Sequence, residues 1–330
     1  MTFEVNRRSF SILLGGGLVA GCLSSVALAA DSYPSQAISL VVPNSPGGPS
    51  DVVGRLVAEG LSNELKGSVV VENRPGGGGV VGTTVVIESP PNGYTLLFSS
   101  NAAFSVVPAL RNDLPFDVSK DMVVVGTVAW GPEALFVRSS LGVNTVDELI
   151  QRAKAEPGDL KFATAGPGSV IHMAGEMFKH EAGIDITAIP YGGGGQAVAA
   201  MLGGEVDMMV NDLSAVVQYL EDGSIKALAV SSEKRLPEIP DTPTFAEVGL
   251  PTVDVSSWFA IGAPAATPPE VLETFRAALK KVVGSDRFKE RLTQFGLEPF
   301  DLPEEEATKF IAGELAKWKK LVADADIKLE

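Results

Sequence analysis

ISLVVPNSPGGPSDVVGRLVAEGLSNEL, residues 38–65, decides how the rest of the chain is read. The β-branched run 38–43 predicts a strand, and residues 44–50 form a Gly/Pro/Ser turn. From Asp51 an amphipathic helix follows, with Val53, Leu56, Val57, Leu61 and Leu65 at helical spacing. A strand that turns directly into a helix aims free backbone N–H groups at whatever lies above the strand end, which suits an anion. In this loop Gly47 and Gly48 let backbone approach a ligand, and Ser45, Ser50 and Asp51 are the hydrogen-bonding groups.

The same design recurs twice. Residues 166–172 (GPGSVIH) follow a predicted strand at 160–164 and open a helix, with Thr164 at the strand end and Gly168, Ser169 and His172 in the turn. Ser169 is placed either to cap that helix or to bond a carboxylate. Residues 192–195 are four glycines after Tyr191, and a run so costly in chain entropy points to close approach of something. Three such turns in one chain point to a carboxylate binder.

The chain has 330 residues, 45% hydrophobic, enough for two ordinary cores. Its net charge of −15 argues against nucleic acid or anionic lipid as a general partner. A small anion remains compatible, because surface charge is screened over about 10 Å while N–H groups act at contact. Cys22 is the only cysteine, which excludes a disulfide framework and a Cys-based metal site.

Residues 1–30 read as an export signal. Arg7-Arg8-Ser9-Phe10 matches a twin-arginine pattern, and the apolar run at 11–21 is too short to span a bilayer, which takes about twenty residues. Two processing sites compete: Ala27-Leu28-Ala29 is an ordinary small-residue cleavage site, and Val19-Ala20-Gly21-Cys22 resembles a lipobox that would lipidate Cys22.

Strand and helix signals then alternate to about residue 231, the pattern of an α/β fold with largely parallel sheets. Runs 123–130 and 134–138 read as two strands meeting at Gly131-Pro132, the first crossing between lobes. Asn144 is placed to cap the next helix, which Pro157-Gly158 ends. A proline-rich return path at 234–251 leads to a strand at 256–263, the second crossing. Three helices follow it, the last at 304–323. The expected organisation is a first lobe of residues 31–131 plus 258–330, a second lobe of 132–257, and a ligand cleft between them that closes by a hinge.

Other motifs carry less. Gly77-x-Gly79-x-x-Gly82 fits a dinucleotide fingerprint formally, yet Ser100-Asn101 stand where an acidic residue would end the second strand, so no cofactor is expected. His172, Glu176 and His180 fall on one helix, but successive i+4 steps rotate the third away from a common zinc, so no metal is expected. A Ser-His-Asp triad would have to use His172 with Ser169 on the same turn, and no G-x-S-x-G elbow is present. Trp130 and Trp258, near the two crossings, read as packing before ligand stacking.

Taken together, the motifs resemble the Bug-type substrate-binding proteins of tripartite tricarboxylate transporters. The resemblance runs from Tyr33-Pro34 and Pro46-Gly47-Gly48-x-x-Asp51…Arg55 to Val71-Glu72-Asn73-Arg74-Pro75-Gly76 and Pro91-Asn92-Gly93-Tyr94. It continues through Gly166-x-Gly168-Ser169…His172, Tyr191-x-Gly193, Gly204-x-Val206-Asp207, Pro240-Asp241-x-Pro243-Thr244 and Ala263-Pro264. It implies a type II periplasmic binding protein with no enzymatic activity and no cofactor. Such a protein is a monomer that holds a small organic anion and serves membrane transporter subunits. Carried onto this sequence, it marks Asn44, Gly47, Gly48, Asp51, Gly168, Ser169 and His172 as ligand contacts. Tyr191, Gly193 and Asp212 become second-lobe walls, and Ser99, Ser100 and Asn101 close the first-lobe side. Family members often carry an aromatic residue where Asn44 stands, which favours a polar aliphatic ligand here. Two alternatives stay open: a sensor presenting its liganded form to a membrane kinase, and an exported hydrolase or metal enzyme using His172.

Overall fold

The structure is a computed structural model that describes residues 33–327; the expected export signal, its two candidate processing sites and Cys22 lie outside them. β1 (Ile38–Val42) leads into α1 (Pro49–Leu65), followed by β2 (Val69–Asn73), α2 (Val80–Ile87) and β3 (Thr95–Ser100). β1 is central: Leu40 stands in register with Val71 on β2 and with Leu96 on β3, both pairings parallel. Parallel neighbours put the ends of β1 and β3, and the loops after them, on one edge of the sheet.

A wide helical turn (Ala102–Val106), α3 (Val107–Leu110) and α4 (Val118–Asp121) then lead to β4 (Met122–Arg138). The helical stretch 102–110 has no counterpart in the sequence reading, because Pro108 and the β-branched pair before it carry no helical periodicity. β4 itself corrects an expectation. Instead of two strands meeting at Gly131-Pro132 it is one 17-residue strand. Pro132 interrupts nothing, because its missing N–H falls where the strand changes partners. Residues 122–132 pair with β9 (Ser256–Pro264), and from Glu133 onward the strand pairs with β7 (Met208–Asp212) and β8 (Ile225–Val230).

The second group of strands is built from α5 (Val146–Ala155), β5 (Lys161–Thr164), α6 (Val170–Ala182), β6 (Thr187–Pro190), α7 (Gly194–Leu202), β7, α8 (Val217–Glu221) and β8. β5 is parallel to β6 and to β7, so the loops after these three strands also share one edge. The α5 cap is a second correction. Thr145, one residue past the expected Asn144, accepts the Glu148 N–H at 3.1 Å, while Glu148 accepts the Asn144 N–H at 2.6 Å. The arrangement is a variant of the capping box, with the glutamate bonded to the residue before the cap.

After β9 come α9 (Pro269–Gly284), α10 (Asp286–Thr293), the two-residue β10 (Glu298–Pro299) and α11 (Glu304–Asp324). The first strand group buries Leu40, Leu96 and Phe259 against Val57 and Leu61 of α1 and Phe275 and Leu279 of α9. Truncating one of these, such as Leu61→Ala, costs about 2–5 kcal/mol. α11 touches both groups: Ile311 shares a cluster with Phe104 and Trp258, and Leu315 and Trp318 pack with Leu135, Phe162 and Met173. Trp258 is fully buried, donates its indole N–H to Glu314 at 3.1 Å and meets the rings of Phe104 and Phe310. It is a packing residue.

Candidate functional site

At the end of β1 the first loop is held from below. Asp51, in the first turn of α1, takes the Gly47 N–H (2.9 Å) and the Arg55 Nε–H (3.0 Å) on one carboxylate oxygen and the Asn73 amide (2.9 Å) on the other. The Arg55 guanidinium, aided by Gly47 and Asn73, holds this carboxyl down to about 2 against the opposing effect of burial. Asn73 also donates to the Asn44 carbonyl at 3.1 Å. The acceptor capacity of Asp51 is therefore spent inside the protein, and its role is to position the loop. No side chain caps α1 at Gly48, and Pro49 occupies the first helical turn. Asn44 keeps its Oδ1 buried and without a partner.

The glycine cluster after β2 has a packing explanation. A Cβ at Gly82 would stand 2.8 Å from the Arg74 carbonyl oxygen and 2.9 Å from the Pro43 Cα, so α2 seats directly beneath the first loop only with glycine there. At the end of β3, Ser99 and Asn101 are buried; Asn101 donates to the Ser256 carbonyl at 2.9 Å, and its own carbonyl accepts the Ser105 hydroxyl. Ser100 follows the same strand end, half-buried.

In the second strand group, the buried Thr164 accepts the Gly166 N–H on its hydroxyl at 3.2 Å, and its carbonyl accepts the Tyr191 N–H at 3.0 Å, tying two strand-end loops together. Gly166 and Gly168 have φ of 97° and 76°, a left-handed backbone that β-branched residues avoid. Ser169 caps α6 by accepting the His172 N–H at 3.1 Å. Its hydroxyl hydrogen stays available to a ligand. His172 accepts the Gly168 N–H on Nδ1 at 3.3 Å, which assigns its proton to Nε2, and burial lowers its pKa, so the ring is neutral. Its Nε2 lies 4.0 Å from Glu176, while His180 is exposed. Among the described residues no three His, Cys, Asp or Glu side chains are grouped to hold a metal.

Tyr191 donates its hydroxyl to Glu205 at 3.3 Å. α7 begins just after Gly193 with no side-chain cap, and a Cβ at Gly193 or Gly195 would meet nothing within 4 Å. Internal packing therefore does not require these two glycines. Asp212 accepts the Ala215 N–H at 3.2 Å at the end of β7. Beside it, the Asn211 side-chain nitrogen is buried and unpartnered.

The sequence reading missed one residue entirely. Glu133 lies on β4 where the strand changes partners, in register with Asp212, and is buried. Its Oε1 accepts the Ser257 hydroxyl at 2.5 Å, and its Oε2 has no partner. Burial, then the neighbouring Asp212 charge, push its carboxyl up to about 8. The signal was present as one acid in the run GPEALFV, an otherwise apolar stretch.

A pattern unites these parts. Of six buried side-chain polar atoms without a partner among the described residues, five (on Asn44, Ser99, Asn101, Glu133 and Asn211) lie at strand ends or at the β4 changeover. Leaving such an atom unpaired costs about 1–3 kcal/mol, so each of the five calls for a partner from outside the chain, a water or a ligand. α6 of the second strand group packs beside the 102–106 turn that follows β3 of the first.

Two α/β groups joined by strands passing between them, with polar loops at the strand ends, define a periplasmic-binding-protein fold. Residues 53–327 match the tripartite tricarboxylate transporter family receptor, TctC, and the chain belongs to this family of solute-binding proteins. It is similar to protein BugT of Bordetella pertussis, at 36% identity over 92% of this chain and 93% of that protein. Among solved structures, R. palustris Rpa4515 with adipate aligns with a TM-score of 0.80 and 32% identity, covering 90% of this chain and 99% of that one. MatC of Rhodopseudomonas palustris with bound malate aligns with a TM-score of 0.77 and 28% identity, covering 88% and 100%. No helix among the described residues is long and apolar enough to cross a membrane.

Proposed function

We propose that this protein is an extracytoplasmic receptor that captures a small carboxylate between its two strand groups and delivers it to a tripartite tricarboxylate-type membrane transporter. It acts as a monomer, without catalysis or cofactor, after export by its twin-arginine-type leader, with processing at Ala29 or Cys22. The lobes are residues 31–131 with 258–330 and residues 132–257. The ligand contacts are Asn44, Gly47, Gly48, Ser99, Ser100, Asn101, Gly168, Ser169, His172, Tyr191 and Gly193, with Asp51, Thr164 and Asp212 bracing the loops that carry them.

The observation that carries the proposal is the gathering of unpartnered buried polar atoms at the strand ends, beside the α1 and α7 starts that no side chain caps. Helix starts and fixed dipoles hold an anion without an ion pair, so release to a transporter stays easy. The adipate and malate in two relatives support a dicarboxylate-sized ligand. A thermal-shift screen of dicarboxylates, tricarboxylates, aromatic acids and acidic amino acids tests it. A true ligand at a hundredfold excess over its Kd adds about 2.7 kcal/mol of stability.

A further inference from the structure

Three buried polar groups converge on one short stretch of chain at the start of β9. Asn101 donates to the Ser256 carbonyl at 2.9 Å, Ser257 donates to Glu133 at 2.5 Å, and the Glu133 N–H meets the Val255 carbonyl at 3.3 Å. Asn101, in turn, continues the strand end that carries Ser99. Ser99, Asn101 and Glu133 are each no more than 1% exposed, and each keeps one polar atom with no partner.

Their valences are specific. The bond from the Asn101 nitrogen to Ser256 fixes the orientation of that amide, so the orphaned atom is a carbonyl oxygen, which only accepts. Glu133, kept protonated by its burial and by Asp212 across the strand, offers an O–H as well as an acceptor. A fully ionised, unsubstituted dicarboxylate has acceptors alone. It would complete the protonated Glu133 and leave Asn101 unpaired. A hydroxyl or ammonium on the ligand supplies the missing donor.

We propose that Asn101, just after β3, and Glu133, on the β4 strand that passes between the two groups, form a donor-reading subsite, one that selects a carboxylate bearing a hydroxyl or amino group over the unsubstituted acid of equal length. This rests on the carboxylate-receptor reading above and adds to it the class of substituent. A site whose buried polar atoms match a ligand group rejects the analogue lacking it, because those atoms are then left unpaired.

Calorimetric titration of the full mature protein with butanedioate, its 2-hydroxy and 2-amino derivatives, and the matching five- and six-carbon sets provides the test. The expected result is a tenfold or greater preference for a substituted acid over its parent. In Asn101→Leu that preference falls below threefold, since the acceptor that only a substituted acid completes is gone, whereas Glu133→Met weakens parent and substituted acids together. Glu133→Gln, which keeps a donor and an acceptor, retains most of the preference. Equal binding of parent and substituted acids by the wild type overturns the subsite and leaves the receptor reading standing. A folded Asn101→Leu protein with an undiminished preference also overturns it, as does a Glu133→Met protein that binds every acid as the wild type does. Failure of all these acids to bind overturns the subsite, and the receptor reading then falls only if the tricarboxylates and aromatic acids of the wider screen fail as well.

Discussion

Replacing Glu133 by Gln should change how stability depends on pH, with a sign fixed by the surroundings of the residue. Its carboxyl is pushed from an ordinary 4.5 up to about 8, first by burial and then by the Asp212 charge, with the Ser257 hydroxyl opposing. Between those two values the folded protein holds a proton that the unfolded chain has given up. The contribution is therefore fully present below about pH 4.5, falls as pH rises, and is gone once pH passes through about 8. Each pH unit in the window is worth about 1.4 kcal/mol, so the full loss is about 4–5 kcal/mol, a large part of the stability of an ordinary domain. Glutamine preserves shape and neutrality and cannot titrate. Urea denaturation of wild type and Glu133→Gln from pH 5 to pH 9 measures the effect, and the difference between the two curves cancels His172, whose lowered pKa works in the opposite direction. Relative to the variant, the wild type should lose stability steadily towards pH 8 and then level off. A difference that is flat, or that grows in favour of the wild type with rising pH, would show that Glu133 is not buried as a neutral acid.

Asp51→Ala removes the acceptors for Gly47, Arg55 and Asn73 and should cost about 2–3 kcal/mol in denaturant melts. Asp51→Asn should blunt acid sensitivity instead. The carboxyl is held down to about 2, so its contribution is present above about pH 4 and lost as pH falls through 2. Gly82→Ala drives a Cβ into the Arg74 carbonyl and Pro43 and should cost about 1–3 kcal/mol, with weaker ligand binding because the first loop is displaced. Ser169→Ala removes the α6 cap, worth about 1 kcal/mol, and should weaken binding by calorimetry. Gly168→Val, at φ 76°, should weaken it further, and unchanged affinity in both would remove this loop from the site.

Much of the fold was readable because hydrophobic period and turn chemistry are local. The strand, turn and helix from Ile38 to Leu65 appear close to where their spacing places them, and so do α6 behind Ser169 and the long final helix. The exceptions share a cause. β4 continues through Gly131-Pro132 because its partners change there, which only distant strands reveal. The helical turn after Asn101 is set by packing against α11 and carries no period of its own. In the site, the loops were legible as glycine-rich helix starts, and Ser169 is the cap its position allowed. The part played by Asp51 was half legible: the residue was found, but its bonds to Gly47 and Asn73 turn it towards the loop. Glu133 was invisible, because one acid in an apolar strand gains meaning only when register puts Asp212 opposite it and Ser257 beside it.

A small carboxylate should complete the unpartnered polar atoms at the strand ends. Isothermal titration of the mature protein with a carboxylate panel tests it most directly. One acid should bind with one-to-one stoichiometry, with affinity weakened in Gly168→Val and Ser169→Ala. Saturable binding by no acid in the panel, or equal binding by the two variants and the wild type, would contradict it.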